Sequence, residues 1–226
     1  TMVTLRADAQ SMSKGGLNEI KKLGPHVVMD DATAGLISTE EARELIEAIN
    51  EQLGSEMIQF YQGLGHRHLM VWVGGKSRAV CTDPQLLVGR PIADVLPAGD
   101  GSDFLWKLMD ASFQILRDHP LNDERSGAEK KPANCLWLWG QGKAILWPSL
   151  PERLKMSGVV VSPNDVHRGL GIMAGLEAVD GARLAGADLR TQAAVALEEL
   201  KKHDFAYVHV KLPDEVVYGS DVAAKV

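Results

Sequence analysis

Apolar residues recur along the chain with two periods. Over Thr39–Leu53, Ala42, Leu45, Ile46, Ile49 and Leu53 follow the i, i+3, i+4, i+7 spacing of one buried helical stripe. Ser38 and Glu41 have capping-box spacing before it, and Gly54 is a natural stop. A second stripe, Leu105, Leu108, Met109 and Leu116, predicts a helix over Phe104–Leu116 with Ser102 as its cap. Asn164 is placed to cap a helix running to about Ala174, and Thr191–Lys202 reads as another, with Ala194, Leu197 and Leu200 inward. Four apolar runs read as strands: His68–Val73, Cys135–Trp139, Gly158–Ser162 and Phe205–Val210. The first is nearly continuous and closed by Gly74-Gly75, which predicts burial on both faces. Shorter strands are expected over Met2–Ala7 and His26–Met29, with a loop or short helix over Ser11–Gly24 between them. The proline-rich stretch Pro84–Asp100 is expected to be irregular, and the polar stretch Leu121–Pro132 an exposed loop. Alternating strands and helices predict an α/β fold, with a mainly parallel or mixed sheet carrying helices on its faces.

Composition narrows the function classes. The 226 residues are 45% hydrophobic and 24% charged, ordinary globular values, with a net charge of −6. An acidic chain argues against a broad nucleic-acid face, although a local basic pocket for an anion remains open. No apolar run approaches the 18 residues of a membrane span, and Thr1–Gln10 carries charges where a signal peptide would be apolar. Cys81 and Cys135 form no C-x-x-C pair, so no structural zinc site is readable, and a reduced cytoplasmic setting is expected.

Four stretches carry more polar chemistry than a scaffold needs. Gly65-His66-Arg67-His68 would set both imidazoles on one face of a strand and the guanidinium on the other. An H-x-H pair suits a metal and an arginine fork suits phosphate or carboxylate, while a solvated strand entrance has the same composition. His119-Pro120-Leu121-Asn122-Asp123-Glu124-Arg125, running on to Asn134, gathers an imidazole, two amides and a guanidinium; a solvated connection is the plain alternative. Trp137–Lys143 places Gly140, Gln141 and Gly142 just after a strand, where backbone N–H groups can approach an anion, but without P-loop spacing. Leu212-Pro213-Asp214-Glu215 follows the last strand, where α/β proteins commonly hold metals and substrates. Neither G-x-S-x-G nor H-E-x-x-H occurs.

Six segments taken in order, STEEARELIEAINEQLG, HRHLMVW, HPLNDERSG, PANCLWLWGQGK, VHRGLGIMAGLE and DFAYVHVKLPDE, closely resemble the archaeal-type cofactor-independent phosphoglycerate mutases. More narrowly they are similar to the bacterial branch also described as a proposed homoserine kinase. Arg6 matches an arginine in the family's strand leading into this region. The resemblance implies an alkaline-phosphatase-like metal domain with a second α/β domain inserted in it. It implies two divalent ions (manganese, zinc or magnesium) and a serine nucleophile that carries the phosphoryl group between the 2- and 3-hydroxyls of glycerate. On this pattern residues 1–155 are a substrate-binding, insert-like region, and residues 156–226 continue the sheet or belong to a truncated phosphatase-like domain.

The resemblance makes Arg67, His68, His119, Asn122, Arg125, Asn134, Gln141 and Arg168 candidates for holding a small phosphorylated or carboxylate metabolite. Asp214 matches a metal ligand of the family, but the histidine expected four residues later is Tyr218. The family's glycine- and threonine-rich segment is much altered at Gly186–Thr191. Its nucleophile segment would precede Thr1 and its last metal-binding Asp-His pair would follow Val226, so a fragment or a relative without the phosphatase core is expected. One surviving carboxylate cannot hold two divalent ions, so this chain alone is expected to bind none and to have no mutase activity. A homoserine-kinase-like phosphotransferase and a non-catalytic binding module are the alternatives.

Overall fold

The computed structural model describes residues 1–6, 27–184 and 186–210. The chain forms two compact units, Thr1–Lys143 and Ala144–Val226. The first contains β1 (Met2–Arg6), β2 (Val28–Asp31), α1 (Thr39–Leu53), β3 (Ile58–Gln62), β4 (His68–Trp72), α2 (Ser102–Arg117), α3 (Pro120–Gly127) and β5 (Cys135–Leu136), with two 3-10 turns at Pro84–Leu87 and Ala93–Val95. The second contains α4 (Leu150–Leu154), β6 (Gly158–Val161), α5 (Asp165–Met173), β7 (Glu177–Ala178), a 3-10 turn at Gly181–Leu184, α6 (Leu189–Glu199) and β8 (Phe205–Val208). Both units are α/β, as the alternation predicts.

In the first unit every named strand pairing is antiparallel. β1 lies between β2 and β5, with Leu5 opposite Met29 and Val3 opposite Cys135, and β3 pairs with β4 as a separate hairpin. This corrects the expectation for His68–Val73. Among the described residues β4 has one partner strand, and its faces differ: Met70 and Trp72 lie opposite Phe60 and Ile58 on the inner side, while Leu69 and Val71 are exposed. The apolar run was continuous, but among the described residues no second layer covers its outer face. The Cys135–Trp139 strand is likewise shorter than expected, although Trp137 stays buried and donates its indole N–H to the Thr82 carbonyl.

α1 is the element the sequence predicts, from its first residue to its last. Ser38 accepts from the Glu41 N–H, the Glu41 carboxylate accepts from the Ser38 N–H, and Ala42, Leu45, Ile46 and Ile49 are buried. Each such fully buried aliphatic side chain contributes about 1.5–3 kcal/mol. Asn50 then ties the helix to β3, donating to the Phe60 carbonyl and accepting from its N–H. α2 begins after Gly101 at φ +91°, so the glycine takes the cap position expected for Ser102.

The stretch expected to be an exposed loop is in part α3. Pro120 sits in its first turn, the His119 imidazole caps it by accepting from the Leu121 N–H, and Leu121, Asn122 and Arg125 are buried. Periodicity missed this helix because two of its three buried residues are polar.

The second unit holds the parallel pairing: β6 lies between β7 and β8, with Val159 opposite both Glu177 and Ala206. Asn164 caps α5, accepting from the Val166 N–H. α6 is capped by Asp188 and turned away from the predicted stripe: Gln192, Val195, Ala196 and Glu199 are buried, whereas Leu197 is 66% exposed and Leu200 is also exposed. Gln192 satisfies its amide on the Ala187 carbonyl, and Glu199 pairs with Lys202 and Arg183, so this polar-looking face can go inside. α5 meets β6 at Gly171, where an added Cβ would stand 2.5 Å from Val160 Cγ1. Gly171→Ala is therefore expected to lower the thermal midpoint. Overpacking of about 1–3 kcal/mol outweighs the roughly 1 kcal/mol that alanine gains over glycine in a helix. A calorimetric scan of the variant showing an unchanged or raised midpoint would remove this reading of the contact.

Candidate functional site

The polar groups of the first unit converge on the short span Lys131–Asn134. Arg125 is only 2% exposed. Its Nε donates to the Lys131 carbonyl at 3.0 Å, Nη2 to the same carbonyl at 2.9 Å and to the Ala34 carbonyl at 2.6 Å, and Nη1 to Glu41 Oε2 at 2.6 Å. Burial raises the Glu41 pKa, but the Ser38 N–H and the Arg125 guanidinium more than offset it and hold the carboxyl below its usual range. The Ala34 carbonyl belongs to an unusual turn in which Ala34, Gly35 and Leu36 are all left-handed, at φ +51°, +64° and +54°. Non-glycine residues pay about 1–2 kcal/mol each for that conformation. Arg125 on Ala34 and the Thr33 hydroxyl, accepting from the Leu36 N–H, help hold the turn in place.

Asn122 bonds this span from α3, and Asn134, within it, ties it to β1. Asn122 donates to the Leu116 and Ala133 carbonyls and accepts from the Ala133 N–H. Asn134 accepts from the Leu5 N–H and donates to the Leu5 carbonyl, each at 2.9 Å, bonding as a strand neighbour would. Asn122, Arg125 and Asn134 thus have their bonding groups turned onto the protein's own backbone and, for Arg125, onto Glu41. The structure uses them as the frame of the unit and does not present them around an open concavity. A buried amide or guanidinium needs its partners, and the nearest backbone carbonyls supply them.

The remaining candidates divide. His119 caps α3, and its Nδ1 lies 4.0 Å from a Glu44 carboxylate oxygen. His68 opens β4 on its inner side, where Nδ1 accepts from the Gly63 N–H at 3.3 Å. That bond assigns the ring proton to Nε2, which is buried without a hydrogen-bond partner. Burial pushes the His68 pKa down to about 3, so the ring stays neutral. Arg67 is half-buried on the preceding turn, and its guanidinium has no hydrogen-bonded or ionic partner among the described residues. The turn is held rigidly. The Gly65 N–H donates to Thr39 Oγ1 and Gln62 donates to the Thr39 carbonyl, which fastens it to the first turn of α1. Gly63 has no room for a side chain, since a Cβ there would lie 2.4 Å from the Arg67 carbonyl oxygen.

Gln141 is exposed and donates to the Ala79 carbonyl, anchoring the glycine turn after β5. Arg168 belongs to the second unit, where it donates to the Val179 carbonyl and pairs with Asp165 at 3.1 Å. Asp214 and Tyr218 lie outside the described residues. Among the described residues no three histidine, cysteine, aspartate or glutamate side chains are grouped to hold a metal ion, and no helix is long and apolar enough to cross a membrane. Sequence reading missed Glu41 as the partner of Arg125. Its capping role was legible three residues from Ser38, but the guanidinium lies 84 positions away.

A model of the 2,3-bisphosphoglycerate-independent phosphoglycerate mutases matches residues 5–122, more than half of the sequence. The chain belongs to this family. A probable 2,3-bisphosphoglycerate-independent phosphoglycerate mutase from Geobacter sulfurreducens is 41% identical over 202 residues, covering 88% of this chain and 51% of that protein. A 2,3-bisphosphoglycerate-independent phosphoglycerate mutase from Methanosarcina barkeri is 35% identical over 206 residues, with the same coverage of 88% and 51%. This member of the family thus spans about half the length of the curated relatives it matches. A solved protein from Pyrococcus horikoshii, 17% identical, superposes with a TM-score of 0.59 over 99% of this chain and 61% of that one, a likeness of fold. The resemblance of the six sequence segments is borne out at the level of the family, and the mixed α/β architecture at the level of the fold.

Proposed function

We propose that the first unit is the substrate-holding part of a phosphoglycerate-mutase-type phosphotransferase, and that Arg67 is its principal contact to an anionic group. The parent reaction is phosphoryl transfer between the 2- and 3-hydroxyls of glycerate, with divalent metal ions in the resembling enzymes. The described residues do not fit such ions, because no set of three ligands is grouped. No step through a metal is therefore assigned to this chain.

One observation carries the reading. Arg67 is half-buried on a turn fastened to α1, yet its guanidinium has no partner among the described residues. An arginine fork presents donors matched to phosphate or carboxylate, and a charge-assisted bond contributes about 1.5–3 kcal/mol before competition from water and salt. The neighbouring His68 ring stays neutral, so it adds no charge to the turn. Arg125, Asn122 and Asn134 support the unit from within and touch no ligand in this scheme.

The test is calorimetric titration of the chain with 3-phosphoglycerate. Binding in the millimolar range, about −4 kcal/mol, is expected. Arg67→Ala is expected to weaken it about tenfold, the loss of roughly 1.4 kcal/mol that a partly solvated charge contact supports. Arg78→Ala, an exposed arginine of the same unit, serves as control and should change little. Equal affinity in wild type and Arg67→Ala would show that the anion is held elsewhere.

A further inference from the structure

We propose that the outer face of the β3–β4 hairpin is the contact surface of a two-fold homodimer, with Gln59 beside the axis. An antiparallel sheet with one covered face commonly shows polar side chains on the other. Here the inner face is covered: Ile58 and Phe60 pack in one cluster with the buried stripe of α1, and Phe104 stacks on Trp72 with ring centroids 4.5 Å apart. The free edge of β3 is closed as well, since Asn50 bonds the Phe60 backbone. The outer face is nevertheless apolar. The register sets Tyr61 opposite Leu69 and Gln59 opposite Val71, and the Val73 N–H donates to the Met57 carbonyl at the end of the ladder. Leu69 is 61% exposed and Tyr61 49%, and Met57, Val71 and Val73 are exposed too.

Charge selects the occupant. Met57–Gly75 holds a single Lys, Arg, Asp or Glu, Arg67 in the turn, in a chain that is 24% charged. Two copies of a chain with net charge −6 repel each other over most of their surfaces, and on this face they can meet without opposing like charges. A partner recognised through charge would find nothing on it to read.

The one polar side chain among the apolar ones fixes the symmetry. Gln59 Oε1 accepts from the Tyr61 hydroxyl, and its amide N–H groups have no partner among the described residues. An amide is its own complement, donating on one side and accepting on the other, and a two-fold axis offers each Gln59 its copy. Each Nε2 would donate to the other copy's Oε1, which has a second lone pair to accept it. Five side chains about half exposed present on the order of 400 Å2 of apolar surface, a patch size that is often functional on monomers. Two such patches with a polar rim reach the low end of specific interfaces, about 1,200 Å2, which suits a reversible dimer. The proposal goes beyond the ligand assigned to Arg67 and uses no property of that residue.

Sedimentation velocity of the 226-residue chain tests it, over about 1–200 µM to bracket the micromolar dissociation constants of interfaces this small. The wild type is expected to show a reversible dimer. Gln59→Glu and Gln59→Lys, each alone, set like charges against each other across the axis and should weaken it at least about 100-fold. An equimolar mixture of the two variants should regain a dimer, now a heterodimer. Leu69→Lys should stay monomeric, whereas Leu86→Lys, at an exposed site of the first unit outside the hairpin, should dimerise like the wild type. All these side chains are exposed, so the circular dichroism of the variants should match the wild type. A wild-type chain that stays monomeric, a dimer that survives Leu69→Lys, or a charge-paired mixture that fails to reassociate would each overturn the proposal.

Discussion

Arg125→Ala is expected to destabilise the first unit by about 3–5 kcal/mol, enough to unfold much of it at room temperature. The wild-type guanidinium is buried, and its bonds join three separate parts of the chain: α1 through Glu41, the left-handed turn through Ala34, and the approach to β5 through Lys131. Truncation removes the closest charge partner of Glu41, which then keeps, among the described residues, the Lys130 ammonium at 3.6 Å and the Ser38 N–H. It also leaves the buried Ala34 carbonyl without its donor, costing about 1–3 kcal/mol, and removes both donors of the Lys131 carbonyl. The left-handed Ala34–Leu36 turn loses one of its fastenings in the same step. Arg125→Lys should recover only part of the loss, because one ammonium cannot reproduce a planar fork serving three acceptors. Urea unfolding followed by tryptophan fluorescence measures this directly. A loss below about 1 kcal/mol would mean that the pair behaves as a surface ion pair.

Acid should destabilise the protein through His68 before it does so through the carboxylates. The folded-state pKa of about 3 lies below the ordinary 6.5, so the folded ring resists a proton that the unfolded ring accepts. The stability contributed by this group is complete above pH 6.5 and is lost as the pH falls toward 3. Each unit of pH within that window costs about 1.4 kcal/mol. Asp31 and Glu41, both held below their usual values, lose stability in the same direction, but only at and below the carboxylate range. The interval from 6.5 to about 4.5 lies above the carboxylate range, and the buried Thr1 amino group, lowered to about 5, titrates in it beside His68, so the difference between wild type and variant reads the histidine. The wild type is expected to lose roughly 2–3 kcal/mol across it. His68→Leu, which also removes the unpartnered Nε2 donor, should lose much less and start no less stable. Parallel pH profiles of wild type and variant would refute the assignment.

Much of the architecture was legible from local signals. α1 could be read complete because its cap, its apolar stripe and its terminal glycine all lie within 17 consecutive residues, Ser38–Gly54. The Asn164 cap of α5 was legible for the same reason. Readings failed where the deciding partner was remote. Nothing in His68–Val73 reveals that one face of the hairpin is left uncovered, because that depends on how many layers pack around it. α3 was hidden because Asn122 and Arg125 look solvent-facing until the Ala133, Lys131 and Ala34 carbonyls are brought against them. The stripe of α6 was misplaced because Gln192 and Glu199 find partners inside, leaving Leu197 outside.

The candidate site divides along the same line. The sequence by itself determined the family and the residue types able to hold an anion. Which of these arginines and amides are used up by the fold was decided by tertiary structure alone. Arg67 and Arg125 carry the same fork of donors, and nothing local ranks one above the other. Backbone carbonyls and a carboxylate close around Arg125, while Arg67 lies on a turn where the described protein offers it no acceptor. Hydrogen-bond satisfaction is a property of the packed environment, and only the folded chain assigns it.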